Sequence, residues 1–165
     1  MKILIAYATK TGTTKDCAVR LSALFPTHET FLCDLAESDP SPDDYDFVVI
    51  GGSIRMGKLD KRVKDYIKRS EAKLKNAKTA FFICNGFSEE TENYFEKNFP
   101  PEILKKAAVF GSFGGELKSD RQRGLDKVIV KLLLEANSSN DEFILPTIST
   151  EEIGRFADRI KECAF

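Results

Sequence analysis

The chain has 165 residues, of which 42% are hydrophobic and 31% are charged, and its formal net charge is −1. This size and composition fit one globular domain, residues 1–165, and the near-neutral charge argues against a nucleic-acid-binding protein, which needs a basic face. The N-terminal apolar run is too short for a secretory signal, and no stretch reaches the roughly 18 apolar residues of a spanning helix. We therefore expect a cytoplasmic protein without an integral membrane segment, and peripheral contact with a membrane stays open.

Strand-like and helix-like segments alternate along the chain. Short apolar segments rich in β-formers predict five strands, at Lys2–Ala8, Glu29–Asp34, Phe47–Ile50, Thr79–Cys84 and Ala107–Phe113. Apolar residues at helical spacing predict helices at Thr13–Phe25, Lys58–Lys75, Glu89–Asn98, Pro101–Lys106, Leu125–Leu134 and Thr150–Cys163. Pro26 ends the first helix, Gly51-Gly52 ends the third strand, and Thr150 gives the last helix a capped start.

This alternation predicts an α/β fold in which a parallel sheet is covered by helices on both faces. Right-handed crossovers favour a doubly wound, three-layer sandwich with strand order 2-1-3-4-5. In such sheets, ligands bind outside the carboxyl ends of the strands, at the point where the strand order reverses. We therefore expect a ligand site between the first and third strands.

The loop between the first strand and the first helix carries four threonines and one glycine in six residues: Thr9, Lys10, Thr11, Gly12, Thr13 and Thr14. Free backbone N–H groups and the helix dipole make such a turn an anion site. The threonine hydroxyls add donors, and Gly12 lets a phosphate come close to the backbone. Lys10 need not touch the phosphate. An ordinary threonine N-cap is the alternative, but one threonine is enough for a cap, so the loop predicts phosphate binding.

Within this loop, Thr9-x-Thr11-Gly12-x-Thr14 matches the T/S-x-T-G-x-T phosphate loop of the flavodoxins at every position, and the chain resembles that family. The segment Gly51–Gly57 resembles the second flavin loop of one branch, the menaquinone-dependent protoporphyrinogen dehydrogenases. Gly114–Leu117 and Leu125–Leu132 are similar to later motifs of the same branch. The resemblance covers nearly the whole chain and implies a flavodoxin-like fold with FMN as the cofactor.

The resemblance also implies that two further loops hold the flavin ring, through Ser53, Ile54, Arg55, Met56, Gly57, Asn85, Gly86 and Phe87. The chain has no tryptophan, so Met56 and Phe87 are the polarizable or flat groups available to contact the ring. Gly57 would supply the peptide that follows the N5 proton when the flavin is reduced. If Arg55 and Lys58 face the flavin, they raise its reduction potential; the alternative is that both are solvated surface charges.

Two functions compete within this resemblance. The first is an enzyme that uses FMN for the six-electron oxidation of protoporphyrinogen IX and passes the electrons to a quinone. The second is an electron carrier between redox partner proteins, with no small-molecule substrate. The segments Ser53–Gly57 and Leu125–Leu132, which resemble the enzyme branch, favour the enzyme. The polar segment Lys118–Gly124, which stands where that branch carries aromatic residues, and the lack of an obvious long insert weaken the enzyme reading. No side chain stands out as an acid, base or nucleophile, so no catalytic residue is predicted.

Other ligand sites fit the sequence less well. Gly52-x-x-x-x-Gly57-Lys58 nearly spells a nucleotide-binding P-loop, but Leu59 occupies the place of the serine or threonine that ligates Mg²⁺. The strand ends lack the acidic residues of a response-regulator receiver. The four cysteines form no CxxC pair and His28 is the only histidine, so no metal site is expected.

Overall fold

Five parallel strands form the centre of the structure, a computed structural model that describes residues 1–86, 88–115 and 147–164. The strands in chain order, including a short antiparallel one, are β1 (Lys2–Ala8), β2 (Glu29–Asp34), β3 (Phe47–Arg55), β4 (Lys58–Leu59), β5 (Thr79–Cys84) and β6 (Val109–Ser112). Their order in the sheet is β2-β1-β3-β5-β6, with β4 paired to β3. With β4 set aside, this confirms the predicted order 2-1-3-4-5.

Helices connect the strands and cover both faces of the sheet. In the described residues they are α1 (Thr13–Ser22), α2 (Lys61–Arg69), α3 (Glu71–Leu74), α4 (Thr91–Asn98), α5 (Pro101–Leu104) and α6 (Thr150–Ala164), with 3₁₀ turns at Pro42–Asp44 and Ser88–Glu90. None of these helices is both long and apolar enough to cross a membrane. The predicted helix Leu125–Leu134 and the segment Lys118–Gly124 lie outside the described residues.

The central strands are buried on both faces, which is why their sequences read as continuous apolar runs. Alternate residues of β1 face opposite layers: Ile3 and Ile5 belong to the cluster under α1 and α6, and Leu4 and Ala6 belong to the cluster under α2 and α4. Each fully buried large aliphatic or aromatic side chain stabilises the fold by about 1.5–3 kcal/mol. The three-layer sandwich follows from this two-sided burial.

The third strand is longer than the sequence predicts. Gly51-Gly52 does not end it, and β3 continues to Arg55. A Cβ atom on Gly51 would lie 2.0 Å from the Phe82 ring, so this glycine lets the neighbouring strand's ring pack on the sheet. Met56 and Gly57, with φ of 49° and 75°, then form a type I′ turn that returns the chain as β4.

Several predicted helix boundaries are wrong for local reasons. The first helix ends at Ser22, not Phe25, and tighter turns such as Leu24 N–H to Leu21 O (3.0 Å) lead to Pro26. The single helix predicted at Lys58–Lys75 begins only after β4 and is divided at Ser70, whose backbone leaves the helical region (φ −96°, ψ 7°). The boundaries of these helices are therefore set by the turns after Ser22 and by the β3–β4 hairpin, which the apolar pattern does not show.

The start of the last helix is also corrected. Ser149 provides the cap, because its hydroxyl accepts the Glu152 N–H at 3.2 Å. Thr150, the predicted cap, instead accepts a hydrogen bond from Arg20 Nη1 at 3.3 Å. This contact ties α6 to α1 across a separation of 130 residues.

Candidate functional site

A cleft of about 910 Å³ opens at the carboxyl edge of the sheet, beside the ends of β1 and β3. This is the edge at which the topology predicts a ligand. The cleft is lined by the loop after β1, the β3–β4 hairpin and the start of α2, through Thr9, Lys10, Thr11, Ser53, Arg55, Met56, Lys58, Leu59, Asp60, Lys61 and Arg62.

The N-terminus of α1 adjoins this cleft and has no side-chain cap. Gly12 occupies the N-cap position with φ 89° and ψ −14°, a left-handed conformation that favours glycine. Its N–H is donated to Thr9 Oγ1 at 2.9 Å, which closes the loop. The first backbone bond of the helix runs from Asp16 N–H to Gly12 O at 2.9 Å, so the N–H groups before Asp16 have no partner within the helix. Together with the helix dipole, they form a site for an anion.

Two buried hydroxyl groups near this helix end lack hydrogen-bond partners among the described residues: Thr14 Oγ1 and Ser53 Oγ. The Cys84 thiol, a weak hydrogen-bonding group, lies close to Thr14. A buried polar group left unpaired costs about 1–3 kcal/mol. Ser53 lines the cleft, so a ligand with a polar atom beside β3 would satisfy its hydroxyl, and the site suits a phosphate ester that extends from the α1 terminus toward β3.

The opposite wall is held by an ion pair between Asp60 and Arg62. Asp60 caps α2 by accepting the Arg62 N–H at 3.0 Å, and its carboxylate accepts from Arg62 Nε (3.0 Å) and Nη2 (2.7 Å). Burial raises the pKa of Asp60, but the hydrogen bonds from Arg62 outweigh burial and hold it below the ordinary value. Arg62 Nη2 also donates to the Thr9 carbonyl at 3.0 Å, so this pair fixes the phosphate-loop backbone against α2.

The hairpin that forms the rest of this wall is held from outside by Asn98, the last residue of α4. Asn98 Nδ2 donates to the Gly57 carbonyl at 3.0 Å, and Asn98 Oδ1 accepts the Leu59 N–H at 2.9 Å. The side-chain amide thus acts as a partner strand would along the free edge of β4. Met56, at the tip of the turn, is 82% exposed, the most exposed of the large apolar residues in the described chain.

The structure brings the first two predicted loops together at the cleft, and the described residues of the third loop do not line it. Of the predicted residues, those that line the cleft are Thr9, Lys10, Thr11, Ser53, Arg55 and Met56. Gly12, Thr13 and Thr14 lie at the start of α1, and Ile54 and Gly57 lie in the hairpin, without lining the cleft. Phe87 lies outside the described residues.

Asn85 and Gly86 do not line the cleft. Asn85 is buried, its N–H is donated to the Gly114 carbonyl at 3.0 Å, and its side-chain oxygen accepts from the Ser112 hydroxyl. These contacts join the end of β5 to the end of β6, so the described contacts of Asn85 give it a structural role.

Sequence reasoning missed Asp60, Lys61, Arg62 and Asn98. The first three were hidden by the prediction of a helix from Lys58, although an aspartate directly before an amphipathic segment is an N-cap signal. Asn98 carries no such signal, because its partners in the hairpin lie 39 and 41 positions away.

Two cysteines lie buried next to the phosphate loop. The sulfur atoms of Cys17 and Cys84 are 3.6 Å apart, and neither thiol forms a disulfide. The hydrogen bond with Cys17 and burial both raise the pKa of Cys84 well above its ordinary value. A buried thiol with a raised pKa is a poor nucleophile, and Cys84 packs with Cys17 in the core under Thr14.

Comparison with known proteins gives the same architecture. The Escherichia coli K12 protein named protoporphyrinogen IX dehydrogenase [quinone] is 24% identical over 172 aligned positions, which span 97% of this chain and 94% of that protein. The solution structure of two-electron reduced Megasphaera elsdenii flavodoxin shares 18% identity with a TM-score of 0.53, over 67% of this chain and 84% of that one. A Lactobacillus acidophilus flavoprotein solved in complex with FMN shares 15% identity with a TM-score of 0.51, over 67% and 92%.

At these identities the solved structures show a common fold. The match that decides the family is to the flavodoxin domain, and it extends over residues 4–142, most of the chain. The parallel sheet in the order predicted from the sequence and the cleft at its switch point agree with that match. The chain therefore belongs to the flavodoxin domain family.

Proposed function

We propose that this chain binds FMN in the cleft and uses it for electron transfer. The observation that carries the proposal is the open N-terminus of α1, where Gly12 leaves the helix without a side-chain cap next to a cleft of about 910 Å³. Membership of the flavodoxin domain family supports the same cofactor. The Lactobacillus acidophilus flavoprotein that shares the fold was solved with FMN, which is consistent with this cofactor.

The residues present fit FMN. The backbone N–H groups and threonine hydroxyls of 9–14 would hold the phosphate, and the unpartnered Ser53 hydroxyl and the hairpin backbone would contact the rest of the molecule. Bound FMN would supply one- and two-electron redox chemistry, and the protein would supply placement and electrostatics. None of the side chains that line the cleft is proposed as an acid, base or nucleophile.

For the reaction, we propose FMN-dependent oxidation of protoporphyrinogen IX with a quinone as acceptor. The aromatic product forms when the substrate loses six electrons and six protons, which three quinones take up as three quinols. The Escherichia coli relative, which aligns over nearly its whole length, supports this proposal, as does the resemblance of the hairpin segment to that enzyme branch. The polar segment Lys118–Gly124 supports the alternative, a carrier that exchanges electrons with a redox partner protein.

Cofactor binding is tested first. Apoprotein titrated with FMN should bind one equivalent and become yellow, and it should bind riboflavin, which lacks the phosphate, much more weakly. Equal affinity for FMN and riboflavin, or a protein that stays colourless, would contradict the placement of the phosphate at α1.

The reaction is tested by anaerobic turnover of protoporphyrinogen IX with a menaquinone analogue, using the FMN-loaded protein. Steady formation of protoporphyrin with three quinols per product supports the enzyme. Absence of turnover, combined with rapid reduction by a flavodoxin reductase, selects the carrier.

A further inference from the structure

The cleft holds much more positive charge than the chain as a whole. Five of its eleven lining residues are lysine or arginine and one is a carboxylate, Asp60, whereas the whole chain has a net charge of −1. The charge is therefore concentrated at the edge of the sheet where the ligand site lies.

The one carboxylate in the lining is already engaged. Asp60 is paired with Arg62 at 2.7 Å, and its side chain is 3% exposed. Three exposed lysines remain in the lining: Lys10 in the loop after β1, Lys58 on the hairpin and Lys61 at the start of α2. None of the three forms a salt bridge with a described residue. We call these three the basic rim.

The position of the basic rim is electrostatically costly for the free protein. Lys61 is the first residue of α2, at the positive end of the helix dipole, and the carboxylate next to it, Asp60, is already paired with Arg62. Three lysines around one cleft also repel each other. A bound anion would relieve both effects.

The phosphate of FMN does not account for the whole rim. That phosphate is proposed to lie at α1, where backbone N–H groups and threonine hydroxyls are available. Lys58 and Lys61 belong to a different wall, and beside them lies Met56, which is exposed, whereas Leu59 is buried in the core. An exposed apolar side chain flanked by lysines suits a ligand with a hydrophobic body and carboxylate groups.

We propose that the basic rim binds the carboxylates of a small anionic reactant whose apolar body rests on Met56 next to the flavin. This inference rests on the proposed function and deepens it: a porphyrinogen with two propionate side chains has this chemistry. The rim sets which reactant approaches the flavin, and the flavin still carries the electrons.

The test uses the FMN-loaded double variant Lys58→Gln/Lys61→Gln and the stable product protoporphyrin IX as probe, with binding measured by its absorbance change. Two surface charge contacts are lost, so affinity should fall about tenfold. The matched control Lys64→Gln/Lys68→Gln, on α2 but outside the cleft lining, should bind like the wild type. Protoporphyrin dimethyl ester, which has no free carboxylates, should bind both forms equally.

Two outcomes would overturn the proposal. If the double variant loses as much affinity for the dimethyl ester as for the diacid, the lysines act through the fold. If the variant loses affinity for FMN but not for riboflavin, the rim belongs to the phosphate site.

A further experiment separates this proposal from the proposed reaction. Photoreduced, FMN-loaded protein is reoxidised at low salt by ferricyanide, a trianion, and by hexaammineruthenium(III), a trication. The rate with ferricyanide divided by the rate with hexaammineruthenium(III) should fall several-fold in the double variant, because the rim no longer attracts the anion. If porphyrinogen is not turned over and this ratio still falls, the proposed reaction is wrong and the proposed anion binding by the basic rim is supported. An unchanged ratio contradicts anion binding by the basic rim.

Discussion

Two helices begin side by side at the carboxyl edge of the sheet, and their N-termini differ. At α1 the cap position is Gly12, which has no side chain, and no side-chain cap accepts the N–H groups of the first turn. At α2 the cap position is Asp60, whose carboxylate accepts the Arg62 N–H at 3.0 Å and pairs with the Arg62 guanidinium. The N-terminus of α1 is available to an anionic ligand, whereas the N-terminus of α2 is already capped by the Asp60 carboxylate.

This difference shows that a helix start is not enough to identify an anion site. Every helix leaves its first N–H groups without intrahelical partners, and most sequences satisfy them with a capping side chain. The absence of that cap next to a cleft, together with an unpaired buried hydroxyl on Thr14, distinguishes α1 from α2.

Closing the open terminus should have the largest effect. Gly12→Val places a β-branched side chain at φ 89° and blocks the phosphate from the N–H groups. We expect FMN affinity to fall by roughly 100-fold or more, about 2.7 kcal/mol, because charge-assisted hydrogen bonds are lost. Isothermal titration with FMN and riboflavin measures it. Gly154→Val in α6, where a new Cβ meets nothing within 4 Å, is the control. A Gly12→Val protein that purifies with stoichiometric FMN would contradict phosphate binding at the N-terminus of α1.

Opening the closed terminus should destabilise the fold. Asp60→Ala removes the cap of α2 and leaves Arg62 without its partner, so the free energy of unfolding should fall by about 2–3 kcal/mol. Asp60→Asn keeps a capping side chain and should lose about 1 kcal/mol. Urea unfolding of both variants measures the difference. If the two variants are equally stable, the cap does not contribute as described.

Releasing the hairpin should have a somewhat smaller effect. Asn98→Ala removes the hydrogen bonds to the Gly57 carbonyl and the Leu59 N–H, and we expect a loss of about 1–2 kcal/mol. Amide exchange at Leu59 should become faster, while exchange within β1 follows only the global change. Asn93→Ala, which removes an exposed contact with Glu90, serves as the control. Unchanged protection of the Leu59 amide would contradict this role for Asn98.

Lowering the pH should reduce the contribution of Asp60, the cap of α2, to the free energy of unfolding. The folded pKa of Asp60 lies below its ordinary value of 3.8, so its contribution is present above that value and is lost as the pH falls through the folded pKa. Wild-type protein should therefore lose more stability than Asp60→Asn between about pH 5 and about pH 2. Unfolding titrations of both proteins across this range measure the difference. Parallel curves would show that Asp60 does not titrate as described.

Much of the fold was readable from residue patterns. The predicted bounds of β1, β2 and β5 match the structure, because a strand buried among neighbours needs an unbroken run of β-forming residues. The doubly wound sheet followed from the handedness of crossovers, and the strand order from the number of alternating elements. The phosphate site at Thr9–Thr14, which the threonines and glycine predict, stays a prediction. The assignment to a single domain and to the cytoplasm stays a prediction.

The sequence by itself determined the elements whose residues are neighbours in the chain: the buried strands, the loop at Thr9–Thr14 and the sheet edge where a ligand belongs. Only the tertiary structure decided the second wall of the cleft. The hydrogen bond from Arg62 to the Thr9 carbonyl spans 53 positions, and the bond from Leu59 to Asn98 spans 39. No local periodicity encodes such pairs, because they form only when packing of the sheet and its helices brings distant segments together.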